Sequence, residues 1–120
     1  MKSKYTKDNI GNKFNYNEFG ELHSINDEPA MILESGEKRW YYKNLLHRET
    51  GPAVTIPGYE NQYFFMGKKH RENGPAIENI EYEEYWINGI QINKSVFELN
   101  KKLEHSLLKN SQPSQQKRKI

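Results

Sequence analysis

The feature that most constrains this chain is internal repetition. Prolines stand at 29, 52 and 75, each 23 residues from the next, and an alanine follows each. Around them three blocks align: Leu22-His23 with Asp27-Glu28-Pro29-Ala30-Met31, Leu46-His47-Arg48-Glu49-Thr50-Gly51-Pro52-Ala53-Val54, and Lys69-His70-Arg71-Glu72-Asn73-Gly74-Pro75-Ala76-Ile77. An aromatic group precedes each block: Phe14 and Tyr16, then Trp40-Tyr41-Tyr42, then Tyr63-Phe64-Phe65. A fourth, partial unit starts at Tyr85-Trp86-Ile87-Asn88-Gly89 and never reaches a Gly-Pro-Ala. The first unit carries one extra residue between histidine and proline, and Ser24 stands where the others have arginine. End units of repeat arrays deviate in this way because one side of each has no neighbour.

Each unit reads as a β-hairpin. An aromatic strand runs into a turn at Gly20, Asn44, Gly67 or Asn88-Gly89, and a polar return leads through His-Arg-Glu to Gly-Pro. A second strand follows, over Ala30–Glu34, Ala53–Ile56 and Ala76–Ile80. Asn-Gly is a strong hairpin signal, and proline is tolerated at the first residue of a strand, where no ladder donor is lost. Ser35-Gly36-Glu37 and Pro57-Gly58-Tyr59-Glu60-Asn61 have turn composition and link the units. The expected fold is mainly β, a twisted antiparallel meander of 23-residue hairpin repeats over 13–94 behind an N-terminal segment, 1–12. It should hold about seven or eight strands.

The C-terminal part has a different period. Ser95-Val96-Phe97-Glu98 matches a capping box. Val96, Leu99, Leu103 and Leu107 then recur at helical spacing, which predicts one amphipathic helix over 95–109. Its apolar stripe is expected to bury against the last unit of the sheet. Residues 110–120, with Ser111-Gln112-Pro113-Ser114-Gln115-Gln116, read as a disordered basic tail.

Composition narrows the class further. Apolar residues make up 34% of the 120 and charged residues 28%, close to a disordered chain but for eight Tyr, five Phe and two Trp. Strands favour such residues and disordered chains lack them, so a thin, aromatic-rich sheet forming one domain is expected. The absence of cysteine excludes disulfides and zinc-thiolate sites. The start, Met1-Lys2-Ser3-Lys4-Tyr5-Thr6-Lys7, has charge without an apolar stretch behind it, and no run is long enough to span a membrane. A cytoplasmic protein is expected. Net charge is +2, but residues 109–120 hold four bases and no acid, leaving 14 bases against 16 acids in 1–108. The basic character lies in the tail, which disfavours a nucleic-acid-binding body.

The period, the Tyr-x-x-Asn-Gly turn at Tyr85–Gly89 and the His-Arg-x-x-Gly-Pro-Ala blocks resemble MORN-type repeats. They are closer still to a variant found in small proteins of bacteriophages and large viruses. The resemblance covers roughly residues 14–92; Trp40–Ile56 and Tyr63–Ile80 match well, the outer units in part. It implies a scaffold for protein contacts, with lipid association proposed for some members. For a small, cysteine-free, Lys- and Asn-rich chain it further implies a phage accessory protein acting in the host cytoplasm. The role so implied is to bind and inhibit a bacterial anti-phage defence enzyme, with a Sir2-domain NADase as the expected partner.

His23, His47 and His70 recur with the repeat, and metal ligation would need their nitrogens within about 4 Å at metal–nitrogen bonds of ~2 Å. Two strands per unit separate equivalent positions by roughly 10 Å, so no metal and no cofactor is expected; each ring should pack on the next unit while its tip bonds a turn. Arg48-Glu49 and Arg71-Glu72 suggest ion pairs between neighbouring units, such as Arg71 with Glu49. No nucleophile–base–orienter set is visible, so no catalytic residue is assigned and the protein is not expected to be an enzyme. The aromatics carry the site hypothesis. If Tyr41 and Phe64 face the core, alternation puts Trp40, Tyr42, Tyr63 and Phe65 on the opposite, open face. Aromatics of this kind anchor protein interfaces. Glu81, Glu83 and Glu84 lie in the densest acidic stretch, which is either a charge-protected edge strand or an acidic rim steering a basic partner surface. The expected function is therefore non-enzymatic binding of a larger protein. The alternatives are nucleic-acid association through Lys117-Arg118-Lys119 and the aromatics, or a lipid- or self-associating scaffold.

Overall fold

The computed structural model describes residues 5–110, with side chains placed to Leu108. The tail after Asn110 lies outside the described residues. Thirteen short strands and one helix follow in chain order. Nine strands form one antiparallel sheet. Its order is β1 (Thr6–Lys7), β2 (Lys13–Phe14), β3 (Met31–Ile32), β4 (Lys38–Arg39), β7 (Val54–Ile56), β8 (Glu60–Gln62), β11 (Ile77–Asn79), β12 (Glu83–Ile87) and β13 (Ile90–Ile92). Two hairpins stand beside it: β5 (Tyr41–Tyr42) with β6 (Leu45–Leu46), and β9 (Phe64–Phe65) with β10 (Lys68–Lys69). The fold is the expected mainly-β antiparallel meander of hairpin repeats.

The strand count exceeds the expected seven or eight because each central aromatic strand breaks in two. Trp40 is one breaking point. Its N–H donates to the Ala53 carbonyl in the large sheet, while its own carbonyl accepts the His47 N–H of the side hairpin. Tyr63 does the same with Ala76 and His70, and Asn15 with Ala30 and His23. One residue per unit thus hands the chain from one ladder to the other. The alanines facing these residues (Ala30, Ala53 and Ala76) are fully buried. A larger side chain there would meet the partner strand.

The turns of the two side hairpins and of the β12–β13 hairpin are left-handed at both central positions: Lys43-Asn44, Met66-Gly67 and Asn88-Gly89 all have positive φ. This is the type I′ geometry that matches the twist of two-residue hairpins. Lysine and methionine enter it only under external constraint. That constraint is the histidine of the preceding unit, described below.

The helix α1 runs over Lys94–Asn110, close to the expected span, but its cap is one turn-start earlier than expected. The Asn93 side chain accepts the Ser95 N–H at 2.7 Å, and the Asn93 carbonyl accepts the Phe97 N–H. Asparagine is as good a cap as serine, and it already occupies the non-helical position after β13. Asn93→Ala should cost about 1 kcal/mol of stability, read from thermal melts by circular dichroism, whereas Ser95→Ala should cost less.

The expected burial of the helix stripe is corrected. Val96, Leu99, Leu103 and Leu107 are all about half exposed or more. The helix docks instead through Phe97, which is buried with its ring centroid 4.7 Å from that of Tyr85. Phe97 lies about 100° around the helix from Val96, so seating Phe97 turns the leucines away from the sheet. No helix among the described residues is long and apolar enough to cross a membrane.

Candidate functional site

The repeated block His-Arg-x-x-Gly-Pro-Ala works as one device in each central unit. The His47 Nδ1 accepts the Met66 N–H at 2.9 Å; His23 serves Lys43 (3.1 Å) and His70 serves Asn88 (3.0 Å) in the same way. Each histidine therefore braces the left-handed turn of the next unit. With Nδ1 accepting, the ring proton sits on Nε2, which points at Glu49 from His47 (3.7 Å) and at Glu72 from His70 (3.6 Å). This use of Nδ1 is a structural account of why the histidines recur. No group of three His, Cys, Asp or Glu suited to a metal occurs among the described residues.

The arginine lies over the ring of the aromatic residue at which the strand breaks. The Arg48 guanidinium sits 3.7 Å from the Trp40 ring centroid, and that of Arg71 3.9 Å from Tyr63. Each also donates from Nη1 to a proline carbonyl, Pro52 at 3.1 Å and Pro75 at 3.2 Å. The glycine before each proline leaves room for the guanidinium: a Cβ at Gly51 would come within 3.3 Å of Arg48 Nη1, and one at Gly74 within 3.0 Å of Arg71 Nη1. Gly74→Ala should thus push Arg71 off Tyr63 at a cost of about 0.5–2 kcal/mol, the size of a cation–π contact. In an Arg71→Ala background the same change should cost much less, a coupling that a double-mutant cycle measures.

The expected Arg71–Glu49 pair does not form. Arg71 bonds Glu78 of its own unit (2.9 Å), and it is Arg48 that reaches the preceding unit, at Asp27. There Nε and Nη2 meet the two carboxylate oxygens at 3.0 and 3.2 Å, and the Thr50 hydroxyl adds a bond of 2.8 Å. These donors, Arg48 foremost, hold the Asp27 carboxyl below the usual carboxylate range. The Asp27 carbonyl also accepts Trp40 Nε1 at 2.9 Å. Asn26 and Asp27 both lie in the left-handed region, in the loop that carries the extra residue of the first unit. That insertion turns Asp27 into a strap across the first two units.

The four candidate aromatics do not share one open face. Trp40 is 6% exposed and belongs to the core, and Tyr63 is half-buried beneath Arg71. Strict alternation fails because the strand changes ladder at these very residues. Tyr42 (39% exposed) and Phe65 (45%) do face outward. Their rings alternate with the histidines in one continuous row. Successive centroid distances are 5.2 Å from His23 to Tyr42, 5.9 Å to His47, 4.7 Å to Phe65 and 6.1 Å to His70. Exposed Met66 lies in the adjoining turn, and exposed Leu45 opens β6.

Two clefts open beside this row at equivalent places in successive units. One, of about 310 Å³, is lined by Asp27, Trp40, Tyr42, His47, Arg48 and Thr50, among others. The other, of about 440 Å³, is lined by Thr50, Tyr63, Phe65, His70, Arg71 and Glu72, among others. In the fourth unit the helix takes this place, with Phe97 against Tyr85 where the two central units carry arginine on an aromatic ring.

Neither cleft is lined by Glu81, Glu83 or Glu84. The strand β12 is not an edge either, since β11 and β13 flank it. Glu81 lies exposed in the turn before β12. Glu83 is exposed, opposite Glu78 in the register and 3.3 Å from the Tyr85 hydroxyl. Glu84 is half-buried and accepts Trp86 Nε1 at 3.0 Å.

The architecture is that of a β-hairpin repeat protein. Set against protein-family models, curated proteins and solved structures, the chain matches none.

Proposed function

We propose that this protein is a non-catalytic module that binds another protein through the row of Tyr42 and Phe65. The observation that carries the reading is the exposure of these two rings on a surface braced by histidines from one unit to the next. Aromatic rings already ordered in the unbound state lose little entropy on docking, and they are the side chains that concentrate binding energy. Leu45 and Met66 enlarge the apolar area around them, while Lys43 and Lys68 in the same hairpins give it a charged rim.

By its resemblance to MORN-like repeats of phage type, the partner we infer is a bacterial anti-phage defence enzyme, of the Sir2-domain NADase kind, which this chain blocks. The test is capture from host cells by the tagged full-length chain, with mass spectrometry of what co-elutes. A defence enzyme retained by the wild type and released by Tyr42→Ala with Phe65→Ala is the expected result. Retention unchanged by the double variant would move the binding surface elsewhere.

A further inference from the structure

The two equivalent clefts differ in one respect that points to a ligand. In the first, the fork of Arg48 (Nε and Nη2) is filled by the Asp27 carboxylate. In the second, Arg71 likewise lies over the Tyr63 ring with Nη1 on a proline carbonyl. The residue two places before the proline, aspartate in the first unit, is here Thr50. Thr50 has no carboxylate, and its hydroxyl is engaged by Asp27. No group among the described residues accepts from Arg71 Nε or Nη2; Glu78 takes Nη1 alone. Arg71 lines the larger of the two clefts.

We propose that the Arg71 cleft is a carboxylate receptor that takes an acidic side chain, Asp or Glu, from a protein partner. Asp27 on Arg48 is the internal template for the bound state. Arginine stacked on a ring keeps its fork fixed, so a two-point bond to a carboxylate loses little side-chain freedom on forming. Arg71 is 26% exposed at its side chain against 18% for the strapped Arg48, so it remains accessible from the cleft. Glu49 and Glu72 also line the cleft but are largely exposed and lean towards the histidine Nε2 atoms, which leaves the space over the guanidinium to a ligand. Phe65 borders the same cleft. The partner would thus present an acidic residue beside whatever covers the aromatic row, and to that extent the inference rests on the proposed function.

The experiment uses the labelled full-length chain and follows arginine Nε–H signals by NMR. The probes are acetyl-aspartate methylamide and acetyl-asparagine methylamide, neutral at both ends, so the row itself is not tested. The aspartate probe should shift Arg71 saturably, and the asparagine probe should bind at least about tenfold more weakly, as expected when a charge-assisted pair is replaced by a neutral one. Arg48 should stay silent in the wild type and respond in Asp27→Asn, where the charge that fills its fork is removed, giving two sites instead of one. An unshifted Arg71, or equal response of both arginines in the wild type, overturns the proposal. That wild-type comparison decides the matter even if Asp27→Asn does not fold. If a captured partner is released by the Tyr42 and Phe65 changes yet binds Arg71→Lys as tightly as wild type, the cleft proposal fails and the aromatic row stands.

Discussion

Trp40→Ala should be among the most destabilising single substitutions in the chain, lowering the unfolding free energy by about 3–5 kcal/mol. The indole is buried, its Nε1 secures the Asp27 carbonyl, and its face carries the Arg48 guanidinium. Removing it opens a cavity and leaves Arg48 without a floor, and the small buried side chain opposite, Ala53, cannot fill the space. At about 4–8 °C per kcal/mol for a domain of this size, Tm should fall by more than about 12 °C. Tyr41→Ala, at a half-buried position one residue on, should cost less. A smaller loss for Trp40→Ala than for the outward-facing Tyr42→Ala would show that the core has been placed on the wrong residues.

Binding should respond in the opposite order. Truncating Tyr42 or Phe65 should weaken capture of the partner by about 2–4 kcal/mol each, roughly thirty- to a thousandfold in Kd, as for buried aromatic anchors. Stability should change far less, since each ring is more than a third exposed and meets the neighbouring histidines edge-on or tilted. Measuring Tm and affinity on the same proteins separates the two effects. If Tyr42→Ala and Phe65→Ala melt the protein as Trp40→Ala does, the row is a structural seam between units and not a binding surface.

How far the sequence reaches is clearest in the repeat block. The period, the turns and the strand–turn–strand order follow from local chemistry, because glycine, asparagine and proline restrict the backbone wherever they stand. The histidine spacing likewise argues against a shared ion from the repeat period alone. The co-occurrence of arginine and the Gly-Pro pair at fixed spacing was visible too. Its meaning, a guanidinium seated over a glycine, was not, because the ring beneath it comes from across the hairpin.

What only the tertiary structure decided is which aromatic goes where. Alternation along a strand assumes one ladder throughout, and at Trp40 and Tyr63 the chain passes from one ladder to another. The expected face of Trp40 failed at that step. The helix shows the same limit: periodicity found its stripe, but Phe97, outside the stripe, fits Tyr85. Asp27 was hidden for a similar reason, since only the fold brings it to Arg48, 21 residues on. Local backbone preferences are written in neighbouring residues, whereas the choice of partner for a ring or a charge depends on contacts that only close when the units stack.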